Sequence, residues 1–345
     1  MINYSHVCLD TFGYELPPRI ITSDDIEKRL SSVYGRLRLP TGRLELMSGI
    51  KERRLWPDGT RPSEAASFAG RQVLSDGDID PRQVECLIFT SVSRDMMEPA
   101  TASFVHNNLG LSPSCLIFDI SNACLGFLDG MVMLANMIEL GVVKNGMIVS
   151  GETAEELLES TLLNLLQDET LTRKSIKPAF ASLTIGSGSI GLYMRRTKKS
   201  EDRPRLVHGA WSANTMHSNL CHGNQKGTNT TLMDTNSEEL LHRGVETAYM
   251  TWTDFSTRPG WQETDINRFF CHQVGSAHAK LLFTKLGLSA EKNFETLNIL
   301  GNVGSVSAPI TMAMAMEKGE FERGQKGALL GIGSGINCLM LGVEW

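Results

Sequence analysis

The sequence lacks the features that mark several large classes of protein. Its seven cysteines include no Cys-x-x-Cys pair, and they are odd in number and scattered along the chain. A disulfide scaffold is therefore excluded, and a reducing compartment is indicated. The net charge is −6 and the longest basic run is Arg195–Lys199, which argues against a nucleic-acid-binding protein.

Membrane-spanning and targeting segments are also lacking. The longest apolar helical pattern, residues 127–140, is interrupted by Glu139, and it is too short and too polar to span a bilayer. The first residues do not join a basic stretch to an apolar one, as a signal peptide would. We therefore expect a cytoplasmic protein without a membrane span.

What the chain does contain is an α/β pattern. Of its 345 residues, 41% are hydrophobic and 21% are charged, which suits a globular protein with a sizeable core. Between residues 86 and 151, continuous apolar strands alternate with helical patterns, as in a layered α/β fold. The polar run 195–205 is the best candidate boundary, so we predict an N-terminal half, 1–195, and a C-terminal half, 196–345.

Four local predictions accompany this pattern. Residues 48–54 (SGIKERR) are expected to form a solvated loop, and residues 183–194 (LTIGSGSIGLYM) two strand pieces around a turn. Residues 214–237 are expected to form a long polar loop. Helices are predicted over residues 276–286 and 308–318, from their periodic small and apolar side chains.

The most informative stretch is ISNACLGFLDG, residues 120–130. An apolar segment leads into it and a long helical pattern leads out, so Cys124 is predicted at or near a helix start. There a thiol faces unpaired backbone N–H groups and the positive end of the helix dipole, which favour the nucleophilic thiolate. Our hypothesis is that Cys124 carries an acyl group; a buried structural cysteine is the alternative.

An internal repeat links the two halves. A shift of 178 positions places Cys124 on Asn302 and Gly126 on Gly304, since 124 + 178 = 302 and 126 + 178 = 304. The same shift places Ala135 on Ala313 and Glu139 on Glu317. This pattern indicates duplication of one α/β unit. In a fold with a pseudo-twofold axis, equivalent turns approach each other, so we expect Cys124 and Asn302 to share a site.

Three further side chains and one turn belong to the predicted site. His272 follows a predicted strand, Asn302 lies in a turn flanked by glycines, and Glu98 comes just after a strand end. A thiolate, an imidazole and an amide suit acyl transfer, because His and Asn can donate hydrogen bonds to a developing oxyanion. A backbone N–H of the GIGSG turn, residues 331–335, can reach a Cys-bound acyl oxygen. Each residue also has a purely structural interpretation.

The motifs together resemble the thiolase superfamily, and within it the β-ketoacyl-carrier-protein synthase III branch. The resembling segments run over nearly the whole chain: GIKERR (49–54), NACLGF (122–127), CHQVGSAH (271–278), GNVGSVSAP (301–309) and GIGSGINC (331–338). Residues 93–111 (SRDMMEPATASFVHNNLGL) are more specifically similar to the OleA-type enzymes of long-chain olefin biosynthesis. Those enzymes join two fatty acyl-CoA molecules head to head by Claisen condensation.

The resemblance implies a fold and a set of roles. The fold is α/β, a thiolase fold whose two duplicated halves give five layers, αβαβα. Cys124 is the acyl acceptor, His272 and Asn302 are its partners, and the backbone N–H groups of Cys124 and Gly335 form the oxyanion hole. Glu98 is the base of the second half-reaction and is contributed across the interface of a homodimer. No metal and no cofactor other than the acyl-CoA substrate is implied.

We therefore predict an acyltransferase that condenses a Cys-bound acyl group with a second acyl thioester without decarboxylation, giving a β-keto acid or thioester. The physical argument for Glu98 is that such an enzyme must remove an α-proton, whereas a decarboxylating synthase obtains its carbanion from loss of CO₂. The alternative is such a synthase using malonyl-carrier protein, and acyl-carrier protein rather than CoA remains a possible donor.

Parts of the sequence also occur in other classes of protein. An acyltransferase acting on an alcohol or amine, and a non-enzymatic interaction protein, stay open. The order Cys124, His272, Asn302 also occurs in papain-like proteases, but no CGSCW-like context surrounds Cys124. His217, Cys221 and His222 suggest metal ligands, but no fourth ligand lies at good spacing.

Overall fold

The computed structural model describes residues 2–197, 203–225 and 231–345. Its strands are β1 Ile2–Asn3, β2 Val7–Glu15, β3 Arg19–Thr22, β4 Glu52–Leu55, β5 Cys86–Thr90, β6 Leu116–Ile120, β7 Asn145–Glu152, β8 Gly188–Arg196, β9 Arg205–Ala213, β10 Cys221–Gln225, β11 Thr231–Thr235, β12 Arg268–Cys271, β13 Lys326–Gly333 and β14 Asn337–Glu344.

Its helices are α1 Ser23–Arg29, α2 Ser31–Leu37, α3 Arg43–Ser48, α4 Pro62–Asp76, α5 Thr101–Leu109, α6 Gly126–Glu139, α7 Glu155–Gln167, α8 Ser237–Ser256, α9 Ser276–Leu286, α10 Leu297–Leu300 and α11 Ser307–Glu317. Local chemistry sets several of the ends. Thr22 and Asp25 form a reciprocal capping box at α1, and Pro62 opens α4 at a position that needs no N–H donor.

One large sheet organises the described part of the chain. Its strand order is β12-β13-β14-β9-β2-β8-β7-β5-β6, with β1 added on β9. The N-terminal strands β6, β5, β7, β8 and β2 meet the C-terminal strands at a single residue pair, Cys8 with Arg205. The sheet therefore consists of two parts, one from each half of the chain.

Helices cover both faces of each part, which gives five layers. Helices α4 and α5 pack on the outer face of the N-terminal strands, and α8 and α9 pack on the outer face of the C-terminal strands. Helices α6 and α11 lie between the two parts and share one apolar core. The predicted αβαβα thiolase fold is thus confirmed.

The central helices show the internal repeat directly. Helix α6 ends at Glu139 and α11 ends at Glu317, the two residues that the shift of 178 superimposes. Each helix is followed by a short loop and by a strand, β7 or β13. The buried faces of both helices are rich in Ala, Met, Leu and Ile, as expected for a layer enclosed on two sides.

Some local predictions were wrong. Residues 52–55 form strand β4 rather than a solvated loop, and Arg53 is 0% exposed. Residues 183–194 form a 3₁₀ turn at Ser182–Thr184 and one strand, β8, instead of two strand pieces.

The polar stretch 214–237 contains a 3₁₀ turn, Thr215–Leu220, and the paired strands β10 and β11, although residues 226–230 of it lie outside the described residues. The predicted boundary between residues 195 and 196 falls at the end of β8, and residues 198–202 of that polar run also lie outside. The division into two domains stays a prediction.

Candidate active site

Cys124 lies in a tight turn between β6 and α6, two residues before the first residue of the helix. The preceding Ala123 has a left-handed backbone, with φ of 46°, a conformation that costs a non-glycine residue free energy and often accompanies a functional turn. Leu125 donates its N–H to Asn122 across the turn, at 2.9 Å. The predicted strand, turn and helix around Cys124 are confirmed.

The electrostatics of Cys124 differ from the expectation. Burial raises the pKa of its thiol to about 12, and the charges of Glu152 and then Cys221 act in the same direction, against the Cys124 backbone N–H. The prediction that the helix start favours the thiolate was therefore wrong. Loss of hydration disfavours the charged sulfur by more than the Cys124 backbone N–H favours it.

The end of strand β13 packs against the Cys124 turn. A Cβ on Gly331 would lie 2.5 Å from Leu125, and a Cβ on Gly333 would lie 3.0 Å from it. Only glycine permits this close approach. Asn337 donates its side-chain N–H to the Asn122 side chain at 3.3 Å, which holds the turn containing Gly335 beside the residues that precede Cys124.

Asn122 is held from its other end by a carboxylate. Its side-chain N–H donates to Asp129 on α6 at 2.7 Å. Burial raises the pKa of Asp129, although the Asn122 hydrogen bond opposes this. The Asp129–Asn122–Asn337 chain therefore fixes the Cys124 turn relative to both a central helix and a C-terminal strand.

His272 is the first residue after β12 and is 6% exposed. Its backbone N–H donates to Leu330, at 2.9 Å, and Leu330 directly precedes Gly331. Burial, with a smaller contribution from the charge of His278, lowers the pKa of His272 to about 3. The ring is therefore neutral near pH 7 and retains one N–H donor.

Asn302 lies in the turn between α10 and α11, where Gly301 and Gly304 have left-handed backbones. Its backbone is paired with the segment before β8: its N–H donates to Thr184 at 3.0 Å, and its carbonyl accepts from Gly186 at 2.9 Å. Its side-chain oxygen accepts the N–H of Gly304 at 3.1 Å. Within the described residues its amide N–H₂ group has no hydrogen-bond partner, so it can donate to a ligand.

The His272 and Asn302 segments are joined to each other. Gln273, next to His272, receives a hydrogen bond from the Thr296 N–H at 3.0 Å through its side chain. Its backbone N–H donates to the Ser307 hydroxyl, also at 3.0 Å, and Ser307 opens α11. The structure therefore brings together the segments that carry Cys124, His272, Asn302 and Gly335, although they are distant in sequence.

Glu98 is placed differently. It is exposed in the loop between β5 and α5, and within the described residues it has no hydrogen bond to Cys124, His272 or Asn302. The loop ends beside strand β6, because Asp119 of that strand accepts the N–H groups of Thr101 and Ala102 at 2.7 and 2.8 Å. Glu98 is thus at the edge of the sheet, not in the interior of its own chain.

The sequence did not predict the burial of two residues of this region, Glu152 and Arg53. Glu152, at the end of β7, is 5% exposed and accepts hydrogen bonds from Val92, Ser93 and Ser305. A carboxylate ending an otherwise apolar strand was the available signal. Arg53 is fully buried and donates to Ser23 and to the Ile21 carbonyl; burial lowers its pKa to about 10.

In the described part of the chain, no group of three or more His, Cys, Asp or Glu side chains is arranged to hold a metal ion. None of the helices that the structure describes has both the length and the apolar character to cross a membrane.

Comparisons with known proteins agree with this geometry. Residues 118–167 match the family model described as 3-oxoacyl-[acyl-carrier-protein (ACP)] synthase III. Residues 257–345 match the model described as its C-terminal part. The two matches cover the Cys124 turn and the segments of His272, Asn302 and Gly335.

Individual relatives extend the likeness over the whole chain. An acyl-CoA:acyl-CoA alkyltransferase of Shewanella oneidensis is 36% identical, with 100% of both chains covered. A β-ketoacyl-[acyl-carrier-protein] synthase III of Caldanaerobacter subterraneus is 24% identical, with 96% of both covered. The structure is similar to a cysteine-to-serine variant of Xanthomonas campestris OleA with bound lauric acid and lauroyl-CoA, with a TM-score of 0.94, 35% identity, and 99% of this chain and 100% of that one covered.

Proposed function

Because the chain belongs to the acyl-CoA:acyl-CoA alkyltransferase family, we propose that it joins two fatty acyl-CoA molecules by a non-decarboxylative Claisen condensation. The observation that carries the proposal is that hydrogen bonds and close packing link the segments that carry Cys124, His272 and Asn302. A nucleophile, a neutral imidazole and an amide at one site suit a thioester that must be attacked and then stabilised as an oxyanion.

The first half-reaction acylates Cys124. Its sulfur attacks the carbonyl carbon of the first acyl-CoA, the thiol proton passes to the leaving CoA sulfur, and free CoA departs. The developing oxyanion accepts hydrogen bonds from the backbone N–H groups of Cys124 and Gly335. Since the Cys124 thiol is protonated near pH 7, its proton must be removed during the attack itself, when the substrate is bound.

The second half-reaction forms the carbon–carbon bond. Glu98 removes a proton from the α-carbon of the second acyl-CoA, and the enolate oxygen accepts hydrogen bonds from His272 and Asn302. The α-carbon then attacks the acyl carbonyl on Cys124, the carbon–sulfur bond breaks, and Cys124 recovers a proton. The product is a β-ketoacyl-CoA, whose hydrolysis gives the β-keto acid. A neutral His272 suits a donor role, since it keeps one N–H.

We also propose that the enzyme is a homodimer in which Glu98 reaches the site of the partner subunit. In support, β6 is an edge strand with one open hydrogen-bonding side. The Leu116 N–H donates to the Glu85 carbonyl at 2.9 Å, on the side of β6 that pairs with β5. The backbone N–H and C=O groups of the alternate residues Ile117 and Asp119 therefore point to the open side of the strand. Exposed apolar residues flank this edge: Val92, Met96, Met97 and Leu116. Such an edge is usually covered.

No cofactor beyond the acyl-CoA substrates takes part in the proposed reaction, and the proposed location is the cytoplasm. All seven cysteines are free, which fits a reducing compartment. Activity of the purified protein in the presence of a metal chelator tests the first statement.

The test is incubation of the purified full chain with lauroyl-CoA alone, followed by mass spectrometry of the intact protein and of the products. We expect a lauroyl adduct on Cys124, release of CoA and a β-keto product. The Glu98→Ala variant should still form the adduct but yield no condensation product, because the α-proton is no longer removed. Glu169→Ala, which changes another exposed loop glutamate, is the matched control and should behave as wild type.

Three outcomes would contradict the proposal. A strict requirement for malonyl-carrier protein would establish the decarboxylating alternative. Unchanged condensation by Glu98→Ala would remove Glu98 from the reaction. Absence of any adduct on Cys124 with acyl-CoAs of graded chain length would exclude the acyl-enzyme.

A further inference from the structure

The carboxylate of Glu152 is shared by two segments from opposite halves of the chain. From the N-terminal half it accepts the N–H of Val92 at 2.9 Å, and the N–H and hydroxyl of Ser93, both at 3.2 Å. From the C-terminal half it accepts the N–H of Ser305 at 3.1 Å and the Ser305 hydroxyl at 2.8 Å. A buried carboxylate with this many donors is strongly fixed in position.

Both segments lead to residues of the proposed site. Val92 and Ser93 begin the loop that ends at Glu98, and Ser305 lies three residues after Asn302. Gly304 leaves room for the carboxylate, since a Cβ there would lie 2.8 Å from Glu152 Oε1. Any movement of this carboxylate therefore moves the turn that carries Asn302 and the start of the loop that carries Glu98.

The Glu152 charge also acts on Cys124. After burial, it is the largest cause of the raised pKa of that thiol, followed by Cys221 on β10. A negative charge disfavours a thiolate but exerts no such effect on an uncharged thioester. The Glu152 carboxylate therefore favours the acylated sulfur over the free thiolate.

We propose that Glu152 is a positioning residue of the condensation: one carboxylate fixes the Glu98 loop and the Asn302 turn to the end of β7, and its negative charge acts on the Cys124 sulfur. This inference rests on the proposed function, because it concerns the same site. It assigns to Glu152 no contact with substrate and no transfer of a proton.

The test uses three variants of the full chain. Glu152→Gln removes the charge and keeps the shape. Ser305→Ala removes a hydroxyl donor and keeps the charge. Glu27→Gln is the matched control, because Glu27 is also a buried carboxylate that accepts hydrogen bonds from two backbone N–H groups, those of Gly42 and Leu44, in the helical N-terminal region. For each variant, the alkylation rate of Cys124 by iodoacetamide is measured against pH, and peptide mass mapping separates Cys124 from Cys221.

Glu152→Gln should shift the alkylation profile to lower pH, so that at pH 8 Cys124 reacts about three- to tenfold faster than in wild type. Condensation should nevertheless slow, with a lower kcat and a similar KM, because Asn302 and Glu98 are displaced. Ser305→Ala should lower kcat without shifting the profile. A purely structural role would not accelerate alkylation while slowing turnover.

The proposal is overturned if the Glu152→Gln profile coincides with those of wild type and Glu27→Gln, or if its kcat is unchanged. Should Glu152→Gln fail to fold, Glu152→Asp serves instead: it keeps the charge, so an unshifted profile with a reduced kcat is expected, and a shifted profile contradicts the role of the charge. Alkylation needs no acyl substrate. If wild type takes no acyl group, the proposed function fails, while the alkylation profiles still decide the effect of the Glu152 charge.

Discussion

Single residues of this site are tuned mainly by their removal from water. Burial raises the pKa of Cys124 to about 12 and lowers that of His272 to about 3, so both side chains are neutral near pH 7. A thiolate–imidazolium pair, as found in cysteine proteases, is therefore not the resting state. A neutral thiol and a neutral imidazole suit a site where negative charge develops only on the oxygen of a bound thioester. Hydrogen-bond donors that are already fixed in position then stabilise this oxyanion.

The glycine at position 304 gives a residue-scale prediction. Its φ is 55°, and a Cβ would lie 2.8 Å from Glu152 Oε1. We expect Gly304→Ala to lower the free energy of unfolding by about 1 kcal/mol through backbone strain. It should also slow condensation more than about tenfold, because the Asn302 turn is displaced. Chemical denaturation and steady-state kinetics with lauroyl-CoA measure the two effects.

Gly110 provides the control for this change. Its φ is 64°, but a Cβ there would meet nothing within 4 Å. Gly110→Ala should therefore show a similar loss of stability with normal condensation. Equal kinetic losses in the two variants would mean that strain alone, and not the contact with Glu152, explains the result.

At the scale of helices and strands, periodicity predicted the elements that are buried on one or two faces. The helix predicted over 276–286 coincides with α9, and the one over 308–318 differs from α11 by one residue at each end. The internal repeat placed the two central helices in register before any contact was known. These successes rest on local patterns that burial imposes along the chain.

The failures come from interactions between distant segments. Residues 52–54 are charged, yet with Leu55 they form β4 because they pair with β3, some thirty residues earlier. Arg53 was taken for a solvated side chain, but it is buried and donates hydrogen bonds to Ser23 and to the Ile21 carbonyl. Glu152 could not be assigned to the site, because its partners Val92 and Ser305 come from opposite halves. The roles of Cys124, His272, Asn302 and Gly335 came from a family resemblance and stay predictions.

The edge strand β6 gives the prediction at this scale. If Glu98 acts across a dimer interface beside β6, each active site combines Cys124 of one subunit with Glu98 of the other. A mixed dimer of the Cys124→Ser and Glu98→Ala variants then has one site with both substitutions and one intact site. A mixture of the two variants, dissociated and reassociated, should then regain about one quarter of the wild-type condensation activity, because half of the dimers hold one intact site.

Each variant alone, taken through the same dissociation and reassociation, is the control and should stay inactive. Size-exclusion chromatography with light scattering establishes the dimer independently. No recovery in a mixture shown to contain mixed dimers would place Glu98 and Cys124 of one chain in the same site.

At the scale of the whole molecule, three histidines with lowered pKa values link stability to pH. His208 is 0% exposed, and its ring centroid lies 4.2 Å from that of Phe255. Neither of its ring nitrogens has a hydrogen-bond partner among the described residues. Burial lowers the pKa of His208 to about 4, that of His278 to about 4 and that of His272 to about 3. In the unfolded chain, each of these rings regains the ordinary value near 6.5.

The sign of the effect follows from proton binding. Between pH 6.5 and about 4 the unfolded chain binds more protons than the folded one, so the folded state loses stability as the pH falls through this window. Above pH 6.5 the contribution is fully present. We expect a loss of about 1 kcal/mol for each histidine between pH 7 and pH 5.5, measured as the free energy of unfolding in urea at each pH.

Replacing the His208 ring measures how much this one histidine contributes to the loss of stability at low pH. His208→Phe keeps an aromatic side chain in the cluster with Phe255 and Trp261 but cannot bind a proton. Between pH 7 and pH 5.5, the free energy of unfolding of His208→Phe should fall by about 1 kcal/mol less than that of wild type. Condensation at pH 7 should be normal. His242→Gln, at an exposed position on α8, should follow wild type. An identical pH dependence in His208→Phe and wild type would show that the buried ring is protonated in the folded protein, and that a different group causes the acid sensitivity.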